Sequence, residues 1–260
     1  MLTLYSTFRP FYTEHTTVHQ RDAIRSWLLL KPKPQILIVG EDDSTKSVCE
    51  EFDLEIIESE FSEYGTPFLE PMMRNAEKHA KHDIMLLVSG DIVLYQETII
   101  AAEALPKQLD MFCACIEKTD CHVNSPPIDF NSNWVERTKN LNRKTVSTSG
   151  DFFMHPKGFL DALPPMPPFV IGRGMCDSWL LYFSKQAGFL VDMTQAVSMY
   201  HVKHSHKHWT NRQLGTPPEC EDNYSNNPHL KECSGFQVKN SNYTMRQDFS
   251  IKKNVELPML

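Results

Sequence analysis

The 260-residue sequence lacks the features of membrane and secreted proteins. Its longest apolar runs have the length of a β-strand, whereas a transmembrane helix needs about 20 consecutive apolar residues. The N-terminal MLTLYSTFRP has no charged segment followed by an apolar one, so no secretory signal is predicted. We therefore expect a cytoplasmic protein without a transmembrane segment.

A basic surface and a disulfide framework are also absent from the sequence. The formal net charge is -7 and no basic run appears, which argues against a nucleic-acid partner, because binding phosphates needs clustered Lys and Arg. The seven cysteines are odd in number and scattered, as is typical of reduced thiols. A hydrophobic content of 41% with 23% charged residues instead indicates a globular chain that buries a large core.

Strands and helices alternate along the first half of the chain. Strands are predicted at 2–8, 35–39, 54–58, 84–88 and 111–116, with helices at 17–30, 45–52, 68–81 and 96–104. Because these strands are almost continuously apolar, the pattern favours a mostly parallel sheet with helices on both faces.

The second half carries weaker signals. The polar stretch 117–144 has little periodicity, and stretches of this length without regular structure are usually functional or mobile. Strands are predicted at 146–154, 190–192 and 196–201, a turn or short helix at 156–163, and a helix at 176–188. Beyond residue 209 the chain is loop-rich, so we expect a tail that folds back over the domain or stays partly mobile.

Asp91 is the first residue that suggests chemistry. It follows the apolar strand 84–88 in the turn Ser89-Gly90-Asp91, and ligands of open α/β sheets bind at the carboxyl ends of strands. Acidic residues after strands also form turns and helix caps, and this interpretation suits Asp42 and Asp43 after the second strand.

Histidines follow another apolar strand. His201 ends the predicted strand 196–201, and His204, His206 and His208 come after it. These residues could form only a solvated loop. If His201 and Asp91 converge, however, an imidazole and a carboxylate would suit a divalent cation such as Mn²⁺.

A glycine-flanked turn, Gly172-Arg173-Gly174, precedes a third candidate, Asp177, at the start of a predicted helix. Asp at this position commonly caps the helix. It could also act as a general base, and the positive end of the helix dipole should then lower the pKa of its carboxyl group.

Taken in order, these motifs resemble the nucleotide-diphospho-sugar transferase superfamily, which has the glycosyltransferase A (GT-A) fold. VGEDDST resembles the VDDGST turn of family-two glycosyltransferases, and RNAEKHAKHDIMLLVSGDIVL resembles their RNxGxxxAxGxYIxFLDADD segment. GTP, DSWL, DMT and HVKH resemble the GTP, DNWL, DAT and HQNH patterns of a little-characterised GT-A-like group.

The resemblance implies an α/β GT-A (Rossmann-like) fold with a mostly parallel central sheet flanked by helices and a loop-rich C-terminal tail. Residues 1–208 would form the catalytic domain, with a nucleotide-binding half at 1–116 and an acceptor-binding half at 117–208. Residues 209–260 would be an extension packed on it. The implied activity is transfer of a sugar from a nucleotide-diphosphate sugar, with a UDP-sugar first and a GDP-sugar second, to a hydroxyl of a glycan or other acceptor.

The resemblance also assigns roles to particular residues. Asp177 matches the catalytic base of inverting members, while Asp91 and His201, with His204 as substitute, match ligands of Mn²⁺ or Mg²⁺. Ser89 stands where the first Asp of the DxD metal motif would be, so one carboxylate is missing. Residues implied in nucleotide-sugar binding are Thr7, Arg9, Glu41, Arg74, Ser89 and Gly90. Arg173 and Trp179 are implied in acceptor binding, and Trp134, Phe169 and Trp179 could stack on sugars or pack in the core.

Three alternatives remain open from the sequence. A non-catalytic protein that binds a nucleotide sugar or glycan on a decayed GT-A fold would account for Ser89. A nucleotidylyltransferase is less consistent, because STFRPF follows the first strand without the glycine-rich phosphate loop of that class. A retaining transferase differs only in which face of the sugar Asp177 addresses.

Overall fold

The computed structural model describes residues 1–121, 127–141, 144–146, 150–202 and 218–254. Thirteen strands and eight α-helices are found within these ranges, together with short 3-10 turns. The helices are α1 Glu14–Leu29, α2 Asp43–Phe52, α3 Leu69–His79, α4 Glu97–Ala104, α5 Trp134–Lys139, α6 Cys176–Gln186, α7 Pro218–Ser225 and α8 Leu230–Cys233.

The first nine strands lie between residues 2 and 156. They are β1 Leu2–Thr7, β2 Gln35–Val39, β3 Glu55–Ile57, β4 Ile84–Val88, β5 Val93–Leu94, β6 Cys113–Cys115, β7 Lys118–Cys121, β8 Lys144–Val146 and β9 Phe152–Pro156. Four more follow: β10 Leu190–Asp192, β11 Met199–Val202, β12 Tyr243–Met245 and β13 Ile251–Lys253.

A nine-stranded central sheet has the order β13-β12-β10-β6-β9-β4-β1-β2-β3. Its strands run parallel except for β9 and β13, which are antiparallel to their neighbours. The mostly parallel α/β sheet predicted from the alternating strands and helices is confirmed. The direction of β9 has a local consequence, because it brings the beginning of β9 beside the carboxyl end of β4.

Apolar side chains cover both faces of the central sheet, as the continuous strands predict. In β4, Leu86 and Val88 pack with α1 and α4, whereas Met85 and Leu87 point to the opposite face and pack with α3 and α6. This alternation follows from the two-residue period of a strand. It fixes the position of β4, and therefore of the turn that follows it.

A smaller sheet, in the order β5-β11-β7-β8, lies outside the central one. Strand β5 begins two residues after Asp91 and pairs with β11, and β11 in turn pairs in parallel with β7. The expectation of little regular structure over 117–144 is wrong for the described part, which contains β7 and α5 and runs up to β8. Short polar strands carry weak periodicity, and a distant partner decides their pairing.

The described part of the C-terminal region, 218–254, contains two helices and two strands. Strand β12 pairs with β10 and therefore extends the central sheet. The Asn223 side chain bonds the backbone of Val170 and Gly174, which ties α7 to the loop before α6. The division of the chain at residue 208 stays a prediction, and His204 lies outside the described residues.

Candidate active site

The site is built around Ser89-Gly90-Asp91, which we call the acidic turn. It follows β4 and is closed by a hydrogen bond from the Ile92 N–H to the Ser89 carbonyl oxygen, 3.1 Å. Gly90 packs directly against the end of β1. A Cβ added at Gly90 would lie 2.6 Å from a ring carbon of Phe8 and 2.7 Å from the carbonyl oxygen of Thr7. Only glycine allows the turn to approach β1 this closely.

One side of the acidic turn is formed by Asp91 and Arg9. The Arg9 guanidinium forms a salt bridge with Oδ2 of the largely buried Asp91 carboxylate. The backbone of Arg9 is held by the Gln20 side chain, which accepts from the Arg9 N–H and donates to its carbonyl oxygen, both at 2.8 Å. The structure therefore places Arg9 beside the acidic turn, and its predicted role in nucleotide-sugar binding stays a prediction.

His201 approaches the same carboxylate from the small sheet. It lies within β11 rather than at its end, and its Nε2 is 3.7 Å from Asp91 Oδ2. On the other side of the ring, Nδ1 donates to Asp120 Oδ1 at 2.6 Å, because β7 and β11 place the two residues opposite each other. Burial lowers the pKa of His201, but the charge of Asp91 and the bond to Asp120 outweigh it and raise the pKa to about 9.

The other side of the acidic turn contains a carboxylate that the sequence analysis missed. Asp151 immediately precedes β9, and its carbonyl oxygen accepts from the Ser89 N–H at 3.0 Å. Its Oδ1 accepts from Ser89 Oγ at 2.8 Å, and its Oδ2 lies 2.7 Å from Lys118 Nζ. Burial raises the pKa of Asp151, but the charge of Lys118 and then that of His201 outweigh it, so the pKa is lowered overall.

Lys118 also was not identified from the sequence. It begins β7, and its side chain is only 14% exposed. Burial lowers the pKa of Lys118, but Asp151, Asp120 and Asp91 together raise it, in that order. A buried lysine surrounded by carboxylates stays protonated at neutral pH.

Asp177 is the second residue of α6, and the backbone before it is unusual. Gly174 has a φ of +87° and Met175 a φ of +62°, a region that a side chain such as that of Met rarely adopts. Such backbone is common at functional sites, where the surrounding structure holds the strain. The carboxylate packs against Gly150, at which an added Cβ would lie 2.1 Å from Asp177 Oδ2.

The pKa of Asp177 is raised to about 7, chiefly because burial disfavours the charged carboxylate and secondly because Asp151 repels it. A hydrogen bond from Cys176 Sγ at 3.4 Å and the charge of Lys118 act in the opposite direction. The lowered pKa expected from the helix dipole is therefore wrong. A single helix end gives too little stabilisation to offset burial of a carboxylate beside a second one.

The other residues predicted to bind the nucleotide lie at different places. Thr7 ends β1 and contacts the acidic turn through its carbonyl oxygen, and Glu41 is exposed before α2. Asp42 caps α2 by accepting from the Thr45 N–H, as the capping interpretation predicts. Arg74 forms ion pairs with Asp161 and, at 3.5 Å, with Glu70, and both of these residues lie outside the acidic turn.

The two residues predicted to bind the acceptor differ in exposure. The Arg173 guanidinium is partly exposed and donates to Thr66 Oγ1 at 2.9 Å. Trp179 is 1% exposed and packs against the rings of Phe169 and Phe183, so it belongs to the core. Of the three aromatics considered for stacking, only Trp134 is partly exposed, and it stacks on Tyr95.

Asp91 and His201 have the chemistry of two ligands for a divalent cation. Asp91 Oδ2 and His201 Nε2 face each other, and Asp120 holds Nδ1 as a carboxylate commonly does behind a metal-bound imidazole. Within the ranges that the structure describes, no group of three His, Cys, Asp or Glu side chains is arranged as a ligand set.

Asp151, Lys118 and Asp120 could be found only partly from the sequence. Ser-Gly-Asp before an apolar strand was a signal for Asp151, but the sequence did not show that this strand runs antiparallel beside β4. Lys118 and Asp120 lie in a polar stretch whose strand depends on β11.

In the described parts of the chain, no helix combines the length and apolar character needed to span a membrane.

No known family model and no curated protein matches the chain. Among solved structures, it is similar to S. aureus TarS 1-349 in complex with UDP-GlcNAc, with 14% identity and a TM-score of 0.49. That similarity covers 80% of this chain, which spans about 60% of the TarS fragment.

Two further solved structures are similar over most of their own length. For CMP:2-keto-3-deoxy-manno-octonic acid synthetase complexed with CTP, the identity is 14%, the TM-score 0.42 and the coverage 76% of this chain and 92% of the other. For a putative glucose-1-phosphate thymidylyltransferase from Bacillus anthracis in complex with a sucrose, these values are 11%, 0.48, 85% and 96%. The nine-stranded, mostly parallel sheet with helices on both faces is the α/β architecture that the sequence predicts, and its assignment to the GT-A family stays an expectation from the motifs.

Proposed function

We propose that this chain transfers a sugar from a nucleotide-diphosphate sugar, with a UDP-sugar as the first candidate, to a hydroxyl group of a glycan or other acceptor. The observation that supports this most directly is the assembly at the carboxyl end of β4. A carboxyl group with a pKa of about 7, Asp177, lies on the same edge of the sheet as the paired charges of Arg9, Asp91 and His201. The sequence motifs assign the same residues to a transferase site.

Asp177 is suited to act as the base. A general base works best when its pKa lies near the operating pH, because it is then both ionised and basic enough to take a proton. Asp177 would accept the proton of the acceptor hydroxyl while the hydroxyl oxygen bonds to the anomeric carbon. The bond from that carbon to the diphosphate oxygen breaks, and the nucleoside diphosphate leaves with the electron pair. A single displacement of this kind inverts the anomeric configuration.

The leaving diphosphate needs positive charge. Arg9 is 34% exposed, and a guanidinium matches the geometry of phosphate oxygens. Asp91 and His201 would hold Mn²⁺ or Mg²⁺, which when bound supplies Lewis-acid stabilisation of the charge on the diphosphate. His201 would have to bind as a neutral imidazole, so cation binding should release protons.

A thermal-shift panel tests the proposal. Nucleotide sugars with different bases and sugars are added with and without Mn²⁺, and a bound donor stabilises the fold by mass action. We expect at least one UDP-sugar to raise the melting temperature and to be hydrolysed or transferred. The anomer of the product then separates inversion from retention. If no member of the panel raised the melting temperature or was consumed, the proposal would be refuted.

The second candidate is a binding protein without catalysis, which Ser89 in place of an acid favours. Both functions predict a thermal shift with the donor, so turnover distinguishes them. Asp91→Ala should abolish hydrolysis of the donor if the chain is an enzyme. A wild-type protein that binds the donor but neither hydrolyses nor transfers it would support the binding function.

A further inference from the structure

The Ser89 side of the acidic turn carries an internal ion pair where the resemblance implies a metal ligand. Ser89 has no carboxylate of its own, but its hydroxyl donates to Asp151 at 2.8 Å. The other oxygen of Asp151 is engaged by Lys118 at 2.7 Å. The carboxylate beside position 89 therefore comes from Asp151, just before β9, and a lysine ammonium already neutralises it.

Lys118 lies at the centre of the candidate site rather than at its rim. Its charge acts on Asp151, Asp120 and Asp91, and it also affects the carboxyl of Asp177. These side chains come from β7, from the start of β9, from the acidic turn and from α6. Lys118 therefore lies among the carboxylates on both sides of the acidic turn, and its charge also acts on Asp177.

The lysine is held in place on both ends. β7 pairs with β11 and β8, which fixes its backbone, and Asp151 fixes its ammonium through a carboxylate that Ser89 orients. An ammonium carries three N–H donors, so one that binds Asp151 can also donate to phosphate oxygens. Because the group is already positioned, it loses little side-chain entropy when a ligand binds.

We infer that Lys118 is a fixed cation that binds the diphosphate of the donor. It supplies part of the positive charge that a cation held by the missing first carboxylate of the acidic turn would otherwise bring to the diphosphate. This inference rests on the proposed function, because it names a contact within the same site. It adds a residue to which the resemblance assigns no role, since the resemblance implies only Asp91 and His201, with His204 as substitute, as ligands of the cation.

The decisive comparison is between Lys118→Met and Lys118→Arg. We measure the affinity for UDP and for uridine by calorimetry, in EDTA and again with Mn²⁺. Lys118→Met should weaken UDP binding by at least roughly tenfold in both conditions, because a charge-assisted hydrogen bond is lost. Uridine, which has no phosphate, should bind as it does to the wild type. Lys118→Arg keeps the charge and should retain most of the UDP affinity.

Lys139→Met is the matched control, because Lys139 is also partly buried and paired with an acid, Glu97, in the described structure. It should leave the UDP affinity unchanged. Lys118→Met leaves Asp151 without its cation, so the double variant Lys118→Met with Asp151→Asn is measured as well. Its neutral amide avoids an unpaired buried charge, and it should show the same loss of UDP affinity if the protein stays folded.

The outcomes separate the two proposals. If the wild type binds UDP and Lys118→Met or the double variant binds it equally well, the inference about Lys118 is overturned while the proposed function stands. The same conclusion follows if UDP binding requires Mn²⁺ and does not respond to Lys118→Met. If the wild type binds neither UDP nor any nucleotide sugar, both proposals are overturned.

Discussion

Each side of the acidic turn contains a buried carboxylate paired with a cation, but the residues of the two pairs come from different parts of the chain. On one side, Asp91 belongs to the turn itself and is paired with Arg9, two residues beyond β1. On the other side, the turn offers only Ser89, and the carboxylate is Asp151 from the residue before β9, with Lys118 from β7 as its cation. In both cases, a largely buried carboxylate is balanced by a cation from another element, as buried charges require.

A motif can therefore lack an acidic residue in the sequence while a distant part of the chain places a carboxylate beside the same position. The Asp91 side is accessible to sequence analysis, because the acid is local and the strand before it is apolar. The Ser89 side is assembled from segments that lie about 30 and 60 residues further along the chain, so no local pattern describes it.

The largest expected effect concerns Asp177, which packs beside the Ser89 side. Asp177→Asn keeps the size of the side chain but cannot accept a proton. We expect the transfer rate to fall by about 10² to 10⁴, the usual contribution of a general base. Steady-state kinetics with the best donor from the panel measures this. Asp43→Asn, a change at an exposed acid on α2, is the control and should leave the rate unchanged. A loss below about threefold in Asp177→Asn would exclude it as the base.

The raised pKa of Asp177 also predicts how stability depends on pH. Between its ordinary value of 3.8 and about 7, the folded protein binds a proton at Asp177 that the unfolded chain has released. The free energy of unfolding therefore falls as pH rises through this window. At pH 8, Asp177→Asn should be more stable than the wild type by about 1 to 4 kcal/mol, and near pH 4 the two should be similar.

Urea unfolding of both proteins at the two pH values measures this difference, since the other titrating groups are shared. Asp151 and Lys118 face Asp177 and Cys176 bonds it, so none of these residues is altered in the comparison. In the wild type, the rate at limiting substrate should rise towards a plateau above pH 7. An equal pH dependence of stability in both proteins would contradict the raised pKa.

A smaller effect is expected at Gly90, the residue between the two sides of the acidic turn. Gly90→Ala places a methyl group 2.6 Å from the Phe8 ring and 2.7 Å from the Thr7 carbonyl oxygen, and a backbone atom cannot rotate away. We expect a loss of about 1 to 3 kcal/mol in the free energy of unfolding, because overpacking strains the contact. Ser89→Ala is the matched variant in the same turn and should cost only about 1 kcal/mol through the lost bond to Asp151. If Gly90→Ala were as stable as the wild type, the close packing of the turn against β1 would be refuted.

The smallest effect is expected from Arg74, and it tests whether Arg9 or Arg74 binds the nucleotide. Arg74 is partly exposed and paired with Asp161 and Glu70, so Arg74→Ala should change the free energy of unfolding by less than about 1 kcal/mol. Its UDP affinity should stay within about twofold of the wild type, whereas Arg9→Ala should weaken UDP binding by roughly tenfold or more. Calorimetry on the two variants decides this. A marked loss of UDP affinity in Arg74→Ala would instead support the nucleotide contact that the resemblance implies for Arg74.

Local sequence patterns were enough to place the first-half strands of the central sheet, the helices between them and Asp91 after β4. Strands such as 35–39 and 84–88 are apolar throughout, and their burial on both faces makes the pattern sufficient to place them. The position of Asp91 after such a strand then follows directly.

Tertiary contacts were needed to establish the small sheet, the direction of β9, the C-terminal strands β12 and β13, and the Ser89 side with Asp151 and Lys118. Short polar strands gain their stability from partners far along the chain, and those partners are not encoded in local periodicity. The pKa of Asp177 was decided in the same way, because burial and the charge of Asp151 outweigh the field of the helix on which Asp177 lies.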